Sequence, residues 1–219
     1  MDSYEEAYVQ SILDSVGSLS RDIRVVLDCG NAVPGPLAVK VLERLGVDVI
    51  PLYCDWDNSF PNHPPDPTRQ ENMKDLGRAV LEHGAEFGIG MDGDGDRLGV
   101  VDENGKFIHP DRLMGIFVEE VLSGLPENAT EEQRTIFFDV KCSMALEEAI
   151  EELGGVPKMV RTGHTFMKKE LREFPGSPMA GEMSGHFFMN DHWDGFDDSI
   201  YCAARLLSII GTDPSPELG

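Results

Sequence analysis

Short apolar runs rich in β-branched residues alternate with amphipathic stretches of helical period along this chain, and the alternation runs through twice in the same order. After an opening helical pattern over residues 4–16, the first pass begins with the run from Ile23 to Asp28. A helix follows with Leu37, Val41, Leu42 and Leu45 on its apolar face and Gly46 as its stop, then a strand from Val47 to Tyr53. A long proline-rich loop over 54–67, a helix over 68–83 and a strand over 86–91 complete it. The second pass places helix over 111–122, strand over 135–140, helix over 144–153, strand over 156–160, helix over 164–174, strands over 177–181 and 186–190, and a last helix over 197–210. Such alternation predicts an α/β protein of two similar three-layer units, each a mainly parallel or mixed sheet covered by helices. The boundary falls near residue 106, after a hairpin marked by Asn104-Gly105. That gives units over 1–106 and 107–211, with 212–219 as a proline- and glycine-containing linker.

In each pass the third strand delivers a charged loop. The first is Asp92-Gly93-Asp94-Gly95-Asp96-Arg97, three carboxylates at alternate positions separated only by glycine. Carboxylates crowded in this way repel one another unless a cation offsets the charge, and hard oxygen donors in this number suit Mg²⁺, with Ca²⁺ or Mn²⁺ as other occupants. An EF-hand loop opens with the same spacing and even finds Glu103 at its twelfth position. Its sixth position, however, holds Arg97 where the turn needs glycine, and the flanks have the pattern of strands instead of helices. An acidic turn that is merely solvated is the other bland reading.

The second loop, Gly181-Glu182-Met183-Ser184-Gly185-His186, gathers an acid, a hydroxyl and an imidazole at a strand end. Sugar hydroxyls can be read by such groups: the carboxylate accepts, the serine donates or accepts, and the imidazole binds or moves a proton near neutral pH. A histidine in a turn is as often a surface or core residue. Lys141 at the end of the 135–140 strand, and Arg161-Thr162-Gly163-His164 linking the next strand to its helix, belong on the same ligand-facing rim as Asp92 and Glu182, where α/β folds place their sites. Lys141 as a rim ion pair and His164 as an ordinary helix-start residue are the competing readings.

The net charge of −22 over 219 residues removes the basic footprint that nucleic acid requires and disfavours an anionic membrane surface. No apolar run reaches the length of about 20 residues needed to span a bilayer, and the acidic start, Met-Asp-Ser-Tyr-Glu-Glu, is unlike a signal peptide. Four dispersed cysteines without Cys-x-x-Cys spacing read as reduced thiols, and a cytoplasmic setting is expected.

Asp92-Gly-Asp-Gly-Asp-Arg97, Asp139-Val-Lys-Cys-Ser143, Thr162-Gly-His164 and Gly181-Glu-Met-Ser-Gly-His186, in this order and at these separations, resemble the α-D-phosphohexomutase family in its phosphomannomutase/phosphoglucomutase branch. The resemblance implies the second and third of four domains: 1–106 with the metal loop, 107–211 with the sugar loop. The family's phosphoserine motif, Thr-(Ala/Ser)-Ser-His-Asn-Pro, occurs nowhere in the sequence, and no basic, glycine-rich phosphate loop follows residue 210. The expected partners are therefore a hexose phosphate and the first and fourth domains of the same protein.

The resemblance further implies a Mg²⁺-dependent isomerase that moves phosphate between C1 and C6 of glucose or mannose through a phosphoserine and a bisphosphate. Asp92, Asp94 and Asp96 would hold the metal, with Arg97 beside it. Glu182 and Ser184 would grip hydroxyls, His186 would contact the ligand or shuttle a proton, and Lys141, Thr162 and His164 would line the same cleft. The piece alone is expected to lack turnover. Two other readings are a non-catalytic divalent-metal-binding module and a haloacid-dehalogenase-type phosphatase with Asp92 as nucleophile; the latter is opposed by Asp96 where its motif expects Thr or Val, and by the late position in the chain.

Overall fold

A computed structural model describes residues 2–212 of the chain. The 212–219 linker reading falls, beyond Thr212, outside the described residues. Two compact units separate at Ile108/His109. The first contains residues up to 108 together with those from Ser199 onward; the second runs from His109 to Asp198.

In the first unit, helix α1 (Asp2–Val16) leads into strand β1 (Arg24–Asp28), helix α2 (Gly35–Arg44), strand β2 (Asp48–Leu52), helix α3 (Lys74–His83), and strands β3 (Phe87–Met91), β4 (Leu98–Val101) and β5 (Phe107–Ile108). The sheet order is β2-β1-β3-β4-β5, with β1 parallel to β2 and β3 and the last two pairings antiparallel. Burial follows position in the sheet: β1 hides four of its five residues and β3 all five, whereas the edge strand β2 has none fully buried. On α2 the buried face is Ala38, Val41 and Leu42, with the expected Leu37 only half-buried at its margin.

Helix α3 begins six residues later than the pattern over 68–83 suggested. Asp66 takes the amide and hydroxyl of Thr68 on its carboxylate and the Asn72 side chain on its carbonyl. These local bonds wind residues 67–73 into successive turns that compete with helix.

The second unit contains helix α4 (Pro110–Ser123), strand β6 (Thr135–Asp139), helix α5 (Met144–Glu152), strand β7 (Val156–Val160), helix α6 (His164–Glu173) and strands β8 (Met179–Gly181) and β9 (Phe187–Met189). Its sheet order is β7-β6-β8-β9, parallel except for β8 with β9. Phe137, Met167, Leu171, Ala180 and Phe188 form the core between this sheet and α6. Each unit is thus a mixed sheet covered by helices, and in each the third strand turns back through an antiparallel partner.

The final helix, α7 (Ser199–Thr212), departs from the division drawn on the sequence, which gave it to the second unit. It packs with α1, α2 and β4 of the first unit. Tyr201, Cys202, Ala203, Ala204, Leu206 and Leu207 are all buried, so the helix is apolar on most of its circumference and needs cover on several sides. Against α1, Ser15 meets the Tyr201 hydroxyl at 3.0 Å and Ser208 donates to the Val16 carbonyl. Among the described residues, no helix is long and apolar enough to cross a membrane.

Candidate functional site

In the first unit the chain reverses between β3 and β4 through the acidic hexad. Asp92, 4% exposed, organises that turn: its Oδ1 accepts the backbone N–H groups of Gly95, Asp96 and Arg97 at 3.0–3.1 Å. Gly95 has φ +80°, a left-handed conformation glycine adopts without a Cβ penalty, and a Cβ there would stand 3.1 Å from Pro34. Beneath the turn, Gly99 lets Pro67 pack against the strand; a Cβ at that position would stand 2.8 Å from it.

One oxygen from each of Asp92, Asp94 and Asp96 lies within 4.8 Å of the others. Cis and trans oxygens around Mg²⁺ stand about 3 and 4 Å apart, so the set needs side-chain adjustment to close on a single ion. An all-carboxylate donor set also fits a hard divalent cation and no soft one. Burial, then the charges of Asp96 and Asp94, push the Asp92 carboxyl up to about 7 despite the amide bonds that favour its ionised form. That is the electrostatic cost a cation would offset. Arg97 places Nε 3.5 Å from Asp92 and 3.8 Å from Asp96, with Nη1 3.8 Å from Asp66, so its guanidinium lies beside the trio as a counter-charge.

The second unit carries the other loop. Glu182 and Gly185 close a tight turn between β8 and β9, with Glu182 N–H donating to the His186 carbonyl and Gly185 N–H to that of Glu182. The Glu182 carboxylate is 2% exposed; Oε1 accepts the Gly163 amide at 2.5 Å and Oε2 lies 3.2 Å from His186 Nδ1. Ser184 Oγ is 2.7 Å from the same nitrogen. Burial raises the Glu182 carboxyl, but the hydrogen bonds from His186 and Gly163 and the charges of His186 and Lys141 more than offset it and hold it below the ordinary range. The His164 ring stacks on that of His186 at 5.7 Å.

Lys141 and Thr162 join the cluster through Asp139, which is wholly buried at the end of β6. Its carboxylate accepts the Lys141 amide at 2.7 Å and the Thr162 hydroxyl at 3.2 Å, with Lys141 Nζ at 3.7 Å. The six residues expected here, Lys141, Thr162, His164, Glu182, Ser184 and His186, therefore do assemble at the carboxyl ends of β6, β7 and β8. Glu182 spends both oxygens on the scaffold of the loop and keeps only its remaining lone pairs for a ligand.

Sequence reasoning passed over two aspartates with buried side chains that organise polar groups at a strand end and beside His164. Asp28 ends β1 as Asp139 ends β6, is 2% exposed, accepts the Gly30 amide and pairs with His63 at 3.0 Å. The shared position of the two aspartates in the repeated β-α-β plan was the available signal. Asp197, which pairs with Lys168 at 2.5 Å and lies 3.5 Å from His164, carried no signal of its own.

Each unit is thus an α/β domain with polar ligand-type loops at the carboxyl ends of its central strands. Residues 2–105 match the family profile "Phosphoglucomutase/phosphomannomutase, alpha/beta/alpha domain II", and residues 109–217 match the corresponding domain III. The chain belongs to the phosphoglucomutase/phosphomannomutase family and carries those two domains. It is 46% identical over 213 residues to a phosphomannomutase/phosphoglucomutase of Pseudomonas putida, covering 97% of this chain and 44% of that protein. With a phosphoglucomutase of Neisseria gonorrhoeae it shares 42% over 210 residues, 96% of this chain and 44% of the other. The crystal structure of a family protein from Burkholderia thailandensis superposes with TM-score 0.90 at 45% identity, covering 97% of this chain and 45% of that one. The chain therefore spans less than half the length of the curated relatives it matches.

Proposed function

We propose that this chain supplies the metal-binding and sugar-reading domains of a Mg²⁺-dependent phosphohexomutase that interconverts the 1- and 6-phosphates of glucose, mannose or both. The single observation that carries the reading is the turn in which Asp92 surrenders one oxygen to three amides while oxygens of all three aspartates stay within 4.8 Å. In this reading the transferred phosphate shuttles between the sugar and a serine of another domain through a hexose bisphosphate. The cation supplies Lewis-acid stabilisation of charge on the transferring phosphoryl group.

This chain's own residues do the rest. Asp92, Asp94 and Asp96 offer the hard oxygens, and Arg97 balances charge beside them. In the other loop Ser184 presents its hydroxyl to sugar hydroxyls and Glu182 the lone pairs left by the scaffold. His186, held through Nδ1 by Ser184 and Glu182, presents its imidazole to the ligand as a binding group or proton carrier. Lys141, Thr162 and His164 would contribute beside them, with Lys141 Nζ, half-exposed, available to an anionic group. The four free thiols fit a reducing, cytoplasmic setting.

Since the phosphoserine motif does not occur among the 219 residues, the chain alone has no nucleophile for turnover. The test is complementation. Purified chain should give no conversion of glucose 1-phosphate to glucose 6-phosphate, and adding a serine-bearing first domain and a fourth domain from a relative should give Mg²⁺-dependent conversion. Turnover by the chain alone would contradict the assignment of parts. Mg²⁺ binding with no activity under any complementation would favour the second reading, a non-catalytic divalent-metal-binding module.

A further inference from the structure

The first residue of α7 holds the acidic turn from outside. Ser199, 1% exposed, is the first residue of that helix, and both its backbone N–H and its hydroxyl donate to one acceptor, the carbonyl of Gly95, at 3.0 and 2.7 Å. The first N–H groups of a helix have no partner within it and must find one elsewhere. Here one of them finds the middle of the Asp92–Arg97 turn. Gly95 lies between Asp94 and Asp96, its own N–H is taken by Asp92, and Pro34 closes on its α-carbon from another side. The peptide planes on both sides of Gly95 are thus fixed, and with them the directions in which Asp94 and Asp96 leave the backbone.

We propose that Ser199 is a positioning residue for the metal turn, presetting the carboxylates of Asp94 and Asp96 for a divalent cation; the link to a cation rests on the metal reading above, the link to the turn does not. By sequence Ser199 belongs to the domain III match and Gly95 to domain II. The metal turn of one family domain is therefore completed by a residue that the chain supplies 104 positions later, from the other.

The test uses the whole 219-residue chain as Ser199→Ala, Ser199→Cys, which keeps the volume but donates weakly, and Ser199→Thr, which keeps the hydroxyl. Two quantities are measured: hydrogen exchange at the amides of Gly95, Asp96 and Arg97 in EDTA, and Mg²⁺ affinity by calorimetry with Mn²⁺ resonance as a cross-check. Loss of one hydrogen bond should speed exchange at those amides by about three- to tenfold and lower Mg²⁺ affinity by a similar factor, with the amides of β3 and β4 unchanged and Ser199→Thr near wild type. Unchanged exchange at the three amides in Ser199→Ala and Ser199→Cys overturns the proposal whatever the metal does, as does acceleration spread evenly over β3 and β4. If exchange rises only in the turn but the wild-type chain binds no Mg²⁺, the positioning role stands and the cation reading fails.

Discussion

Asp92 performs two tasks that substitution can separate. As a scaffold it accepts three amides through Oδ1; as a candidate ligand it offers charge and Oδ2. Asp92→Ala removes both. Each of the three N–H groups loses a partner in a partly buried turn, at about 1 kcal/mol apiece, and relief of carboxylate repulsion returns about 1 kcal/mol. The net loss is about 2 kcal/mol, or about 4–8 °C in Tm for a chain of this size. Asp92→Asn keeps an oxygen where the amides point and removes the charge, so its metal-free stability stays within about 1 kcal/mol of wild type. Its cation affinity behaves differently. A unit charge pair at 4 Å is worth about 4 kcal/mol at an effective dielectric of 20, and a third of that is already a tenfold loss. The assay is urea unfolding in EDTA beside Mg²⁺ calorimetry on the same preparations. Equal destabilisation of the two variants, or wild-type Mg²⁺ affinity in Asp92→Asn, would refute the division of labour between the two oxygens.

Three further outcomes follow from the same geometry. Gly95→Ala forces an alanine to φ +80° against Pro34 and should cost about 1–2 kcal/mol in denaturant unfolding, more than an alanine placed at Gly93, whose φ is not positive. Glu182→Gln removes the charge beside His186 while leaving an acceptor for the Gly163 amide, so stability should change little, and binding of glucose 1-phosphate in a complemented enzyme should weaken by about tenfold; wild-type affinity would remove Glu182 from the ligand site. His63 is held protonated chiefly by its hydrogen bond to Asp28, which raises its folded-state value above the ordinary one near 6.5. The pair therefore contributes stability that is fully present below about pH 6.5 and is lost as pH rises through the raised value, and Asp28→Asn should flatten that slope in unfolding curves measured from pH 5 to 9.

Much of the fold was legible because its signals are local. The alternation of apolar runs with helical periods located the strands, and the glycine-spaced aspartates between two strand patterns could only be a turn. Asn104-Gly105 marked its hairpin, where Gly105 indeed takes φ +71°. The misses are cases where a partner distant in sequence or a side chain's competing bonds decide. Nothing within α7 says which sheet will cover an apolar helix, and α1, almost 200 residues earlier in the chain, supplies much of the answer. Asp66 shortened α3 through bonds that propensity over 68–83 does not register. The candidate loops were readable residue by residue, but their supports were not. Asp139 stood in a quoted motif without its supporting part being visible, and Ser199 carries no motif; both roles arise from burial and from hydrogen bonds made only in the folded chain.

The most direct test of the account is Mn²⁺ titration of the purified chain followed by electron paramagnetic resonance, with Asp94→Asn and Asp96→Asn alongside. A saturable site in the wild type that competes with Mg²⁺ and weakens at least about tenfold in each variant is the predicted result. Binding that is absent, or equally strong in all three proteins, would contradict it.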